Sequence, residues 1–455
     1  MVMMRSMLAV AALLSAPTLT AETPLTALAA GVSEAELKAS ITALVGFGTR
    51  HTASDTTSPT RGIGAARRWT ESRFARFSAA CGNCLTIATP AEVVTSARLP
   101  NPTNVVDVLA IQRGTTDPDR YVIISGHIDS RNSDGLDAKG DAPGANDDGS
   151  GTAAVIEAAR VLSQHKFPAT IVYAVLSGEE QGLNGGKVLA DYARAQGWIV
   201  EAVLNNDIIG NSTGIGGMKD SGHVRVFSEG TKAVETPEQA GRRRYNGGEV
   251  DSPSRNLARF IDSLADHNIN GLDVKMIYRT DRFGRGGDQT RMLEAGYPAV
   301  RITESVEHYD RQHQNVRVEN GKQYGDLIDG VDFQYLAKVT RLNVAALAAL
   351  ARAPMPPAVN IARDAGSNTK VSWTPVKGAA GYRVWWRDTT APQWQYSRTA
   401  PADATSLVLE HASIDDWLFG VAAVAADGSE SPIAYPGDAG SFISNPPFPQ
   451  PQPRP

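Results

Sequence analysis

The spacing of apolar and polar positions divides the chain into a long first part and a short second one. Residues 33–80 carry apolar side chains at helical spacing on either side of the polar stretch GTRHTASDTTSPTRG, and predict helices. Beyond them, short apolar runs alternate with helical segments. NVVDVLAIQ and YVIISGHID read as strands, and TAAVIEAARVLSQH reads as a helix. ATIVYAVLS is almost continuously apolar, as expected of a central strand buried on both faces. GLNGGKVLADYARAQ predicts a helix, EAVLNNDIIG a strand that includes Asp207, LARFIDSLADHN a helix and YPAVRIT a strand. The amphipathic run VDFQYLAKVTRLNVAALAALARA closes this unit near Ala353. The alternation predicts an α/β fold with a mostly parallel sheet covered by helices on both faces. Residues 211–256, Gly-rich and including GRRRYNGG, read as loops capping a site.

PMPP marks a linker, after which KVSWTP, GYRVWWRD, SLVLEH and FGVAAVAADGSESP predict a small all-β sandwich. Trp385 and Trp386 are adjacent in one strand and so point to opposite faces, which leaves one of them a candidate for exposure. The tail ISNPPFPQPQPRP is proline-rich. The expected division is residues 1–21 as a leader, 22–354 as the α/β unit, 355–440 as the sandwich and 441–455 as the tail.

Composition narrows the function classes. A net charge of -5 over 455 residues, with no Lys/Arg block, argues against nucleic acid as a partner. MVMMRSMLAVAALLSAPTLTAETP has the basic start and short apolar core of a secretory signal peptide, cut near Ala21. No later apolar run reaches the ~18–20 residues that span a bilayer, so stable membrane insertion is not expected. These features predict an exported protein, periplasmic or extracellular. Its two cysteines, Cys81 and Cys84, lie in a turn between a helix and a strand, where a short disulfide is the expected state.

The candidate chemistry sits where the expected strands end. His127 and Asp129 end YVIISGHID, and Glu179 and Glu180 follow ATIVYAVLSG. Asp207 lies in EAVLNNDIIG, and His313 follows YPAVRITE in EHYDRQHQ. Asp147 lies in the Gly-rich turn PGANDDGSG, with Asp148 as its solvated or helix-capping neighbour. Carboxylates and histidines together suit a divalent ion such as zinc. Five ligands exceed what one open tetrahedral zinc needs, and suit two metals sharing a carboxylate, with one glutamate left as base. The substrate pocket is expected from loops that include 211–256 and 278–295.

The series GHIDS, PGANDDGSG, LSGEEQGLNGG, NNDIIGN and QHQ resembles the di-zinc aminopeptidases of the bacterial leucyl aminopeptidase and aminopeptidase S type, over roughly residues 35–353. The resemblance implies a three-layer α/β/α domain around a mixed sheet and two Zn2+ per chain. It implies His127 and Asp207 on one zinc, Glu180 and His313 on the other, and Asp147 bridging. It implies Glu179 as general base, Asp129 as the carboxylate orienting His127, and Tyr309 as an oxyanion contact. His308 competes with His313 for the last ligand position, and His313 is favoured because HQNVRVENG leads into the final helix. SWTPVKGAAGYRVWWRD with FGVAAVAADGSESP resembles a fibronectin type III domain, with Trp373 and Tyr382 in its core.

The implied activity is a zinc exopeptidase acting on peptides with a free N-terminus. A carboxypeptidase on the same fold is the alternative. A glutaminyl-cyclase-like transferase and a non-catalytic surface-binding protein are less favoured, because the full ligand set and Glu179 are present.

Overall fold

The computed structural model describes residues 23–362 and 366–443. The leader expected at 1–21 and the tail from 444 onward lie outside the described residues.

Eight strands form the central sheet: β1 (Leu85–Ala88), β2 (Val108–Gln112), β3 (Asp117–His127), β4 (Ala169–Leu176), β5 (Ile199–Asn206), β6 (His223–Phe227), β7 (Asp273–Ile277) and β8 (Ala299–Glu304). Their spatial order is β1-β2-β4-β3-β5-β8-β6-β7. The four strands β4, β3, β5 and β8 are mutually parallel neighbours. The β1, β2 and β4 pairings are antiparallel, and β6 joins β8 antiparallel. The sheet is thus mixed and mostly parallel, as expected.

Period-two alternation along the central strands splits the core by face. Val122 and Ile124 pack with the helices Glu34–Gly46, Gly149–Leu162 and Phe333–Arg352. Ile123, Val172 and Val203 turn the other way, onto the helix Asn184–Ala195 and the short helix Gln289–Glu294. All eight residues of β4 are buried, which explains its unbroken apolar run. Each such Val, Ile or Leu contributes about 1.5–3 kcal/mol of hydrophobic stabilisation. Among the described residues no helix is long and apolar enough to cross a membrane.

Two expectations fail here. Residues 211–256 are not loops over a site: they hold the sheet strand β6 and the helix Pro237–Asn246. That helix carries the GRRRYN run and buries none of its residues, so no apolar periodicity marks it. A Thr236–Gln239 capping box and the Arg243–Glu235 ion pair at 2.8 Å support it instead. Asp207 lies one residue past β5 rather than within a strand.

The C-terminal part forms two three-stranded antiparallel sheets. Val359–Ile361, Thr369–Trp373 and Ser406–Leu409 make one, and Gly381–Asp388, Tyr396–Pro401 and Trp417–Val424 the other. Trp373 and Tyr382, with centroids 5.2 Å apart, lie in the core between them. Phe442 packs into that core too. Trp386 stacks on Tyr396, while Trp385 points away and donates Nε1–H to Glu430 at 2.6 Å. Neither tryptophan is exposed, because each ring is partly covered by such partners. This unit docks on the α/β part through Asp251, which accepts from Arg387 at 2.8 and 3.0 Å. The Cys81–Cys84 disulfide is formed.

Candidate metal centre

The parallel neighbours β4, β3, β5 and β8 end on one side of the sheet, and the polar residues that follow each strand converge there. His127 is the last residue of β3, and Glu179 and Glu180 lie in the turn after β4. Asp207 follows β5, and His313 comes from the long loop after β8. The fifth contributor, Asp147, is delivered by the turn that opens the helix Gly149–Leu162.

That turn is tightly constructed. Asp148 caps the helix, accepting from Gly151 N–H at 2.8 Å. It also accepts from the backbone N–H of His127 (3.0 Å) and Ile208 (3.2 Å), so it ties three segments together and is fully buried, not solvated. A Cβ on Gly151 would lie 2.4 Å from the Asn206 carbonyl oxygen, so only glycine lets the helix start approach the end of β5. Asp326 accepts from the N–H groups of Asn146 and Asp147, the latter at 2.7 Å.

Two groups result, with ligand atoms all within 4.8 Å of one another: His127, Asp147 and Asp207; and Asp147, Glu180 and His313. Asp147 belongs to both. Its Oδ1 lies 3.4 Å from His127 Nε2, and its Oδ2 lies 3.0 Å from His313 Nε2. His313 Nε2 is also 3.0 Å from Glu180, and His127 Nε2 is 3.8 Å from Asp207. The structure places His313 in this cluster and leaves His308 outside it, 4.0 Å from Asp310. Asp129 acts on His127 chiefly through its main-chain carbonyl, which takes the Nδ1–H bond at 3.0 Å. Its carboxylate, 3.5 Å from Nδ1, accepts from the N–H groups of Glu179 and Glu180 and so fixes their turn.

The donor set fits divalent ions. His127 donates Nδ1–H, so its Nε2 faces two carboxylates, and that buried atom has no hydrogen-bond partner among the described residues. Glu180 Oε1 is likewise buried, with His313 Nε2 at 3.0 Å as its neighbour. Burial opposes charge on both imidazoles, yet the carboxylates win. Asp129, Asp147 and Asp207 hold His127 well above its ordinary pKa, and Glu180 and Asp147 push His313 up to about 10. Positive charge is therefore favoured at both positions. Burial, with Asp207 and Glu180 nearby, raises the Glu179 carboxyl well above the usual range. One feature opposes both that charge and a cation on His313: Arg131 Nη2 lies 2.6 Å from its Nδ1, and accepting there leaves the ring proton on Nε2, the nitrogen that faces Asp147 and Glu180, so Arg131 would have to turn away.

Three supporting residues lie outside the set expected from the sequence. Arg301 Nη1 pairs with Asp207 at 2.7 Å, and Arg131 Nε with Glu180 at 2.9 Å. Asp326 is the third. An arginine inside the apolar strand YPAVRIT was a usable signal, since a buried guanidinium needs a carboxylate. No sequence signal marks Asp326.

A cleft of about 670 Å³ opens over these groups. Glu179, half-exposed Tyr309 and the 278–295 segment line it, as expected, but nothing from 211–256 does. The hairpin of Ala91–Ser96 and Leu99–Val106 supplies Arg98 instead.

Comparison with known proteins gives the family. Residues 104–324 match the model of peptidase family M28. A probable zinc metalloprotease of Pyrenophora teres f. teres is 43% identical over 413 residues, spanning 89% of this chain and 85% of that protein. One of Pyricularia oryzae is 42% identical over 417 residues, spanning 89% and 82%. The crystal structure of the Legionella pneumophila LapA aminopeptidase superposes with a TM-score of 0.53 at 19% identity, over 75% of this chain and 80% of that one, a likeness of fold. The chain belongs to peptidase family M28 and is a zinc metalloprotease.

Proposed function

We propose that this protein is an aminopeptidase with two zinc ions, removing N-terminal residues from peptides. The observation that carries the reading is Asp147, shared between two ligand groups with Glu179 beside them. His127 and Asp207 would hold one ion, Glu180 and His313 the other, and Asp147 both. When bound, the ions supply Lewis acidity to a water and to the scissile carbonyl. Glu179, with its raised proton affinity, takes a proton from the attacking water at its carboxylate and delivers it to the leaving amine nitrogen. Asp129 holds His127 and the Glu179–Glu180 turn in register. The Tyr309 hydroxyl stands at the cleft as a donor to the developing oxyanion.

Export through residues 1–21 is part of the proposal, and the Cys81–Cys84 disulfide supports an oxidising destination. The strand order of the C-terminal sheets supports a fibronectin type III-like module.

The test is metal content and aminoacyl-anilide hydrolysis on one sample, before and after chelation. About two zincs per chain, with activity lost on chelation and restored by zinc, is the expected result. Bound zinc without cleavage of any free-amine substrate would overturn the aminopeptidase reading.

A further inference from the structure

The walls of the cleft differ in character from its floor. The four acids that line it all belong to the floor already described. Five arginines, Arg98, Arg131, Arg282, Arg285 and Arg291, dominate its walls beside Tyr309, Gln312 and Gln314, and Leu183 is the one aliphatic side chain that lines it. A pocket for a leucine-like side chain needs apolar walls, and only Leu183 and the Tyr309 ring offer large apolar groups here.

The rim arginines are incompletely neutralised. Arg98 stands exposed at its hairpin tip and donates to the main-chain oxygen of Glu180 at 3.1 Å. Among the described residues no carboxylate pairs with it. Arg285 reaches Glu307 at 3.2 Å, but Arg225 and Arg282 share that one carboxylate at 2.6 and 3.1 Å. Arg291 pairs with the exposed Glu294, donates to the Gly182 oxygen at 3.3 Å, and keeps a buried Nε without a partner. Arg98 and Arg291 therefore grip the backbone of the turn that carries Glu179 and Glu180. An anion held by them would lie beside Glu179 and Glu180.

We propose that the cleft selects peptides with a carboxylate next to the scissile bond. That carboxylate is the side chain of an N-terminal Asp or Glu, or the free C-terminus of a dipeptide. The inference rests on the aminopeptidase reading and deepens it. Planar guanidinium groups match a carboxylate in charge and geometry.

The experiment compares kcat/KM of the zinc-loaded full-length enzyme on matched pairs at low salt. Glu-anilide against Gln-anilide tests a side-chain carboxylate, and Ala-Ala against Ala-Ala-amide tests a C-terminal one. At least one pair should favour the acid by about tenfold, as expected for a charge-assisted hydrogen bond. Raising salt should shrink that ratio. The Arg98→Gln/Arg285→Gln double variant should bring that ratio within about threefold, through the KM of the acidic substrate, whatever basal rate is lost with the Arg98 bond to the Glu180 carbonyl. Arg98→Lys, in the Arg285-intact chain, should keep most of the preference. Equal rates within both pairs, or a double variant that keeps the full acid preference, would overturn the inference while leaving the aminopeptidase reading intact. If no free-amine substrate is cleaved, that reading fails, and calorimetry with L-glutamate and L-glutamine decides the inference alone. Tighter glutamate binding that is lost in the double variant supports it, and equal binding refutes it.

Discussion

Asp251 and Asp147 are both buried aspartates, and their surroundings differ in a way that separates structure from chemistry. Asp251 sits between Arg387 and Arg259, all three at most 2% exposed. It accepts from Arg387 at 2.8 and 3.0 Å and from Arg259 at 2.8 Å. Those arginines also donate to carbonyls of the loop at Ala391 and Pro392, so two guanidinium groups of the chain balance the one carboxylate, although Arg387 Nε stays without a partner among the described residues. Asp147 stands among Asp207, Glu180 and two histidines, so three carboxylates crowd one point, and His127 Nε2 there is buried without a hydrogen-bond partner among the described residues. A buried polar atom without a partner costs free energy unless something outside the chain supplies one. The closed cluster joins two structural units, and the open one awaits cations.

Four substitutions probe this contrast. Asp147→Ala should have the largest effect: zinc content measured by emission spectroscopy should fall to below one per chain, from about two, and activity should vanish. Unchanged zinc content would remove Asp147 from the bridging role. Glu179→Gln should lower kcat by about 10²–10⁴-fold while zinc content stays the same. A variant that still turns over normally would show that the base is elsewhere. Asp251→Ala should strand two buried guanidinium groups and cost about 3–5 kcal/mol in denaturant unfolding of the interface, with zinc content and kcat unaffected. Loss of zinc there would erase the distinction between the two clusters.

The smallest effect concerns Asp262, at the same interface, which accepts from Gln393 at 2.7 Å. Burial, with Asp266 and Asp273 adding repulsion, pushes its carboxyl up to about 6. The folded protein then holds the proton more tightly than the unfolded chain, where the group titrates near ~3.9. Its contribution is therefore most favourable below about pH 4, declines as pH rises to about 6, and is level above. Asp262→Asn should make the protein more stable than the natural chain at pH 7, on the order of 1 kcal/mol. Melting curves should show that gap closing toward pH 4, and a gap that does not move with pH would exclude Asp262 as its source.

Much of the site was legible because it rides on the strongest pattern in the chain. The apolar runs that become β3, β4, β5 and β8 are easily read, and the ligand candidates follow each of them. What escaped reading lacked such a carrier. The helix Pro237–Asn246 buries nothing, so its sequence resembles a loop. The strand His223–Phe227 is short and is set between polar segments. Asp326 lies 179 residues from Asp147, whose N–H it holds, and nothing local marks that pairing.

The sequence by itself determined the strand-and-helix order, the two-part organisation and the identity of the residues that gather at the strand ends, because hydrophobic period and motif order are local properties. The tertiary structure decided which histidine completes the second group, which arginines stand over the cleft and which buried charges are balanced by the chain. Those outcomes depend on distances between segments far apart in sequence, and only the packed sheet and its loops fix such distances.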